Sequence, residues 1–261
     1  MNNSSIRING KKILITGVSR PLGIGATLAR RFAESGANIA VHGFSDYDLT
    51  VGCNNSAISN GTEIIARQLA ENGLNIITVT PSDFTKTGTA KAVVEEAVQK
   101  LGGLDGMVLN HCYGTYSEIG EWTEEELDAH FSVNIRACML MIQAFAKQVD
   151  TTNENAITLF TSGQNNGPMT NEIPYCVSKA AISNLCRQAS ALLGDKNIRV
   201  NCINPGPNDT GYYPGDTSHW CKPNDAADLA LFLHSSYARC ITGQIIASDK
   251  GEGFGGNFVL K

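Results

Sequence analysis

Apolar residues along this chain recur with two alternating periods, and the alternation runs from one end to the other. Residues 11–16, KKILIT, form a short apolar run, the pattern of a strand buried on both faces of a parallel sheet. Residues 25–36, GATLARRFAESG, then repeat apolar positions every three to four residues, which predicts a helix closing at a glycine. The same pair recurs along the chain. Further strands are predicted at 37–42, 75–80, 104–110, 156–161, 198–203 and 242–248, and further helices at 61–73, 89–102, 123–148, 173–194 and 225–236. Thr123, with Glu126 three residues on, reads as a capping box that opens the 123–148 helix. Residues 43–60 show no period and read as loop. Seven strands joined by six crossover helices predict an α/β fold built on a doubly wound seven-stranded parallel sheet between two helical layers.

Composition narrows this picture mainly by exclusion. The 261 residues contain no Pro/Gly/Ser-rich break, so residues 1–261 are expected to form a single domain. A formal charge of −5 with scattered basic residues offers no patch for nucleic acid or an anionic membrane surface. The longest apolar stretch, residues 137–146, is interrupted by a glutamine and is too short to cross a bilayer. Residues 1–12 contain no apolar leader, which points to a cytoplasmic protein. The eight cysteines include no CxxC pair and read as reduced, mostly buried thiols; the five histidines lack metal-ligand spacing, and no metal is expected.

Candidate chemistry lies in two places. Tyr175 and Lys179 are four residues apart on the 173–194 helix and so share a face. An ammonium beside a phenol favours the phenolate and prepares the pair for proton exchange. Ser162 follows the strand at 156–161, at the carboxyl end of the sheet where open α/β folds place their chemistry, and Asn134 lies upstream in the 123–148 helix. The second place is the turn TGVSRPLGIG, residues 16–25, between the first strand and first helix. Gly17 is expected to make the tight turn, Gly23 to admit a pyrophosphate, and Gly25 to let helix and strand pack closely, while Ser19 and Ile24 bring backbone N–H groups to the phosphates. The position after the second strand that discriminates cofactors carries Gly43 instead of an acid. With Arg20 and Ser45 available to a 2′-phosphate, NADP(H) is favoured over NAD(H); Asp46 is the residue that argues the other way.

Together these residues resemble the short-chain dehydrogenase/reductase family over nearly the whole chain. Tyr175-Cys176-Val177-Ser178-Lys179 matches its YxxxK motif, Ser162 lies thirteen residues before the tyrosine, and Asn134 matches its helix asparagine. The resemblance implies a Rossmann-type three-layer fold and hydride transfer between a nicotinamide cofactor and a carbonyl/alcohol pair. It implies Tyr175 as general acid/base, Lys179 as its tuner and ribose ligand, Ser162 as orienter of the substrate oxygen, and Asn134 as holder of a relay water. It further implies Asp83 and Phe84 at the adenine, Asn110 after the fourth strand, and Pro205, Gly206 and Thr210 at the carboxamide. Members closest in overall likeness are 3-oxoacyl-[acyl-carrier-protein] reductases, and homotetramers or dimers are common among them. A non-catalytic NADP(H) sensor or scaffold, and an alcohol dehydrogenase running in the oxidising direction, are the alternative readings.

Several departures from the family pattern stand out. Five residues separate Gly17 from Gly23 where three are usual, a spacing shared with the enoyl-reductase branch; the four-residue Tyr175 to Lys179 interval argues for carbonyl reduction instead. Asn110-His111-Cys112-Tyr113 puts bulk where small residues are usual, and Asn208 stands where an aliphatic residue is usual. A short substrate loop at 211–223 leaves the site more open, or leaves its closure to the tail from residue 249 onward. Tyr113, Tyr116, Gln164, Met169, Tyr212 and Trp220 flank the expected pocket and give it a mixed aromatic and polar character.

Overall fold

The computed structural model describes residues 6–50, 57–213 and 215–251. Seven parallel strands form one sheet: β1 (Lys12–Thr16), β2 (Asn38–His42), β3 (Ile76–Thr78), β4 (Gly106–Leu109), β5 (Asn155–Phe160), β6 (Ile198–Asn204) and β7 (Ile245–Ala247). Their spatial order is β3-β2-β1-β4-β5-β6-β7, so the chain winds outward from β1 in one direction and from β4 in the other. The resulting switch between β1 and β4 opens a crevice at the carboxyl edge, the ligand position of such sheets.

Strand periodicity divides the core in two. Leu14 points to one face, where it packs with Met107, Ile157, Met141 and Phe145; Ile13 and Ile15 point to the other, with Leu28, Phe32 and Leu231. The first face is covered by α4 (Thr89–Leu101), α6 (Ala137–Gln148) and α7 (Ile173–Leu193), the second by α1 (Ile24–Glu34), α3 (Gly61–Glu71) and α8 (Pro223–His234). Each such side chain contributes about 1.5–3 kcal/mol by burial, which is why the central strands read as apolar runs.

Two elements differ from the sequence expectation. Residues 45–50, expected as loop, form the short helix α2 (Ser45–Thr50), while 51–56, and with them Cys53, lie outside the described residues. The predicted 123–148 helix is present but divided into α5 (Glu124–His130), a π-helical turn at Phe131–Arg136, and α6. Its capping box is realised at one half: the Thr123 hydroxyl accepts from the Glu126 N–H at 3.1 Å. The π turn carries Asn134, and such turns concentrate at functional sites because they rotate a side chain out of helical register. The residues of the tail beyond Gly251 lie outside the described set.

Candidate active site

The glycine turn is shaped by what its glycines exclude. Gly17 adopts φ +74°, and a Cβ on Gly25 would lie 2.0 Å from the Gly17 carbonyl oxygen. The start of α1 therefore presses directly on the turn, and only glycine fits there. We expect Gly25→Ala to destabilise the fold by about 1–3 kcal/mol through overpacking and to weaken dinucleotide binding, measured by thermal unfolding and cofactor titration. Asn110 braces the turn from β4, its Nδ2 donating to the Gly17 carbonyl at 3.2 Å. At the N-terminus of α1, Gly23 provides no side-chain cap and the first turn contains no acid, so the backbone N–H groups from Ile24 onward face the crevice unneutralised.

At the other end of the crevice the four expected residues converge. Lys179 is 3% exposed and its Nζ donates to the Phe160 carbonyl at 2.9 Å, which ties α7 to the end of β5. The same Nζ lies 5.6 Å from the centroid of the Tyr175 ring, and the Ser162 hydroxyl is close enough to the phenol to favour its ionised form. Thr161 reinforces this junction by donating to the Lys179 carbonyl at 2.9 Å. Asn134 is 1% exposed and its amide is fully engaged: Nδ2 donates to the Tyr113 carbonyl and to Ser178 Oγ, both at 2.8 Å, and Oδ1 accepts from the Tyr113 N–H at 2.7 Å. Ser178 in turn donates to the Tyr175 carbonyl at 2.7 Å. The asparagine thus joins the π turn, the loop after β4 and α7 into one corner.

The lysine acts on the phenol in the direction expected from the sequence, but burial sets the net displacement. Burial pushes the Tyr175 phenol upward; the Lys179 ammonium and the Ser162 hydroxyl pull it down, and the upward push is the larger. Burial disfavours the Lys179 ammonium, yet the Tyr175 phenol and neighbouring thiols hold its proton more firmly, and its net displacement is also upward. Lysine therefore opposes the desolvation of the tyrosine without overcoming it.

Other expected cofactor residues have mixed fates. Asp83 caps its own turn, accepting from the Thr85 N–H at 2.8 Å and its hydroxyl at 2.6 Å. The Phe84 ring is buried between His42, stacked at 4.6 Å, and His111, edge-on at 4.6 Å. Burial lowers both histidines, His42 to about 4 and His111 to about 3, and keeps them neutral. The Ser45 hydroxyl oxygen accepts from the Gly61 N–H at 3.0 Å, which leaves its own proton for an acceptor. Gly43 admits no side chain, since a Cβ would lie 2.3 Å from Thr62 Oγ1 and 2.5 Å from the Val18 carbonyl oxygen.

Arg20 and Ser19 meet an unexpected partner. The Ser19 hydroxyl donates to Asp48 of α2, and Arg20 Nε lies 3.5 Å from the same carboxylate, which is 7% exposed. Burial pushes the Asp48 carboxyl up, against the Ser19 hydrogen bond and the Arg20 charge. Beside it, the Tyr47 hydroxyl bonds both backbone groups of Gly114, donating at 2.9 Å and accepting at 2.8 Å, and its ring lies 5.0 Å from that of Tyr113. Gly114 packs on the Tyr175 ring, where a Cβ would approach to 3.1 Å. Tyr47 and Asp48 left no trace in the hydrophobic pattern, because the six-residue α2 carries no apolar stripe.

Three features fit a bound nicotinamide dinucleotide. The α1 N-terminus suits its pyrophosphate. Arg20 Nη1 is buried with no partner among the described residues, a donor for a phosphate oxygen. Near the turn at Pro205 and Gly206, where Gly206 takes φ +63°, Asn208 donates to the Pro205 carbonyl at 2.7 Å while its buried Oδ1 has no partner among the described residues, an acceptor for an amide N–H. Thr210 is buried beside it, its N–H on the Asn208 carbonyl at 2.9 Å. Among the described residues no group of His, Cys, Asp or Glu is arranged to hold a metal ion, and no helix is long and apolar enough to cross a membrane.

A doubly wound sheet, a glycine turn at its switch point and a Ser-Tyr-Lys cluster on the carboxyl edge define a nicotinamide-type oxidoreductase site. The chain belongs to the short-chain dehydrogenase/reductase family: residues 17–252 match the family model described as enoyl-(acyl carrier protein) reductase. An uncharacterised oxidoreductase of Bacillus subtilis is 29% identical over 92% of this chain and 96% of its own. A glucose 1-dehydrogenase of Gluconobacter oxydans is 28% identical, covering 97% of this chain and 95% of its own. A short-chain dehydrogenase of Burkholderia cenocepacia, solved in complex with NADP, superposes with a TM-score of 0.82 at 26% identity, over 96% of this chain and 99% of that one.

Proposed function

We propose that this chain is an NADP(H)-dependent oxidoreductase that interconverts a carbonyl and an alcohol, with Tyr175 as general acid/base. The observation that carries the reading is the meeting of the Ser162 hydroxyl, the Tyr175 phenol and the buried Lys179 ammonium at the end of β5. When bound, the cofactor supplies or accepts the hydride. In the reducing direction, Tyr175 gives its phenolic proton to the substrate oxygen as that oxygen gains alkoxide character, and Ser162 donates a hydrogen bond to it. Lys179 then stabilises the phenolate left behind, and Asn134 keeps Tyr113 and Ser178 fixed around the ring. Oxidation uses the same groups in reverse.

The unpartnered Nη1 of Arg20 and the absence of an acid at Gly43 support NADP(H) over NAD(H). Gln164 anchors the substrate side, donating to Thr161 Oγ1 at 2.9 Å while its buried Oε1 has no partner among the described residues, which suits a polar substrate beside the loop at 211–223. Exposed Met139 and Leu140 on α6 and Val177 on α7 support a homo-oligomer, and a cytoplasmic location accompanies this reading.

A panel of ketones, a 3-oxoacyl thioester and an enoyl thioester, each with NADPH and NADH, tests the reading. Turnover of carbonyls with NADPH is expected; turnover of the enoyl thioester alone would overturn it in favour of the reaction named in the family model. The pH profile is a further test. The donor must carry its proton, and a phenol displaced upward keeps it to higher pH, so kcat/KM for reduction should hold through neutrality and fall only in the alkaline range. An alkaline fall centred near neutrality would contradict the assignment.

A further inference from the structure

The cofactor-discriminating position of this fold cannot bear a side chain here, because Gly43 is wedged between Thr62 and the Val18 carbonyl. An anion nevertheless sits at the turn expected to receive a 2′-phosphate. It is the buried Asp48 carboxylate, which takes up the Ser19 hydroxyl and the Arg20 Nε, while Arg20 Nη1 is left buried without a partner among the described residues. The guanidinium is bounded on one face by the Tyr212 ring, with its carbon 5.6 Å from the centroid, so a second anion at Nη1 would share the cation with the Asp48 carboxylate. The placement of Asp48 is enforced from the next residue, since Tyr47 is pinned by two hydrogen bonds to Gly114.

We propose that Asp48 is the residue that sets cofactor preference, acting as a built-in competitor of the 2′-phosphate for Ser19 and Arg20. A dinucleotide with a 2′-phosphate must displace this carboxylate or lie against it, and like charges at short range in a desolvated pocket oppose binding. A dinucleotide with a free 2′-hydroxyl brings no charge and leaves the Ser19-Asp48-Arg20 arrangement in place. Asp48 therefore weakens NADP(H) selectively, and Tyr47 determines how firmly it holds its post. The inference rests on the reading of this crevice as a nicotinamide dinucleotide site.

The test is direct titration of NADPH and NADH, followed by fluorescence or calorimetry, into the wild-type chain, Asp48→Asn, Arg20→Gln and the double variant. Asp48→Asn is nearly isosteric and keeps a hydrogen-bond acceptor for Ser19. It should tighten NADPH by at least about tenfold while moving NADH by no more than about twofold. In the Arg20→Gln background most of that gain should vanish, because the contested group is gone. If Asp48→Asn folds poorly, Asp48→Ser also removes the charge and should shift the NADPH to NADH ratio in the same direction. A ratio that does not move, or weaker NADPH binding in the uncharged variants, would overturn the role of Asp48. Binding of neither dinucleotide by the wild-type chain would instead overturn the functional reading itself, and the inference with it.

Discussion

Tyr175→Phe should lower kcat for carbonyl reduction by about 10²–10⁴-fold while leaving cofactor affinity within about threefold of wild type. The substitution removes one oxygen and little else. The ring that packs on Gly114 remains, and the backbone carbonyl that accepts from Ser178 is untouched, so the corner built by Asn134 persists. The loss is confined to the proton that Ser162 and Lys179 are positioned to help transfer. Equal losses in rate and binding would instead mark the hydroxyl as a binding group. Steady-state kinetics with a parallel cofactor titration separates the two.

Lys179→Met is expected to reduce both cofactor affinity and kcat/KM, the latter by about 10²-fold or more. Its ammonium is buried, anchors α7 to β5 through the Phe160 carbonyl, and lies beside the phenol. Methionine fills the volume and removes the desolvation cost of a buried ammonium, which offsets the roughly 1–3 kcal/mol for the carbonyl left without its donor, so the fold should survive. The alkaline limb of the pH profile should also change, because the charge that offsets desolvation of Tyr175 is absent. Unchanged activity at unchanged cofactor affinity would remove Lys179 from the site.

The legible parts of this molecule are those fixed by short-range periodicity. Strands such as β1 and β5 are apolar on both faces because both faces are covered, and α7 announces Tyr175 and Lys179 as neighbours by a four-residue interval. Ser162 and Asn134 were legible by their order along the chain. The parts that were not legible depend on contacts across the crevice. Helix α2 has no apolar stripe, and its place is set by Tyr47 reaching Gly114 and Asp48 reaching Ser19, partners 67 and 29 residues away. Phe84 turns inward because His42 and His111 stack around it, which no local pattern reveals. The raised tyrosine has the same origin. A four-residue spacing shows a lysine nearby, but the depth of burial that outweighs it is set by the whole corner.

One comparison bears most directly on the assignment of Tyr175. Wild-type chain and Tyr175→Phe, each saturated with NADPH and mixed with a carbonyl substrate that the panel identifies, are followed by loss of the reduced nicotinamide absorbance in a single turnover. The expected result is rapid decay in the wild type and decay at least about 10²-fold slower in the variant, with equal cofactor bound at the start. Equal decay in the two proteins would contradict the account.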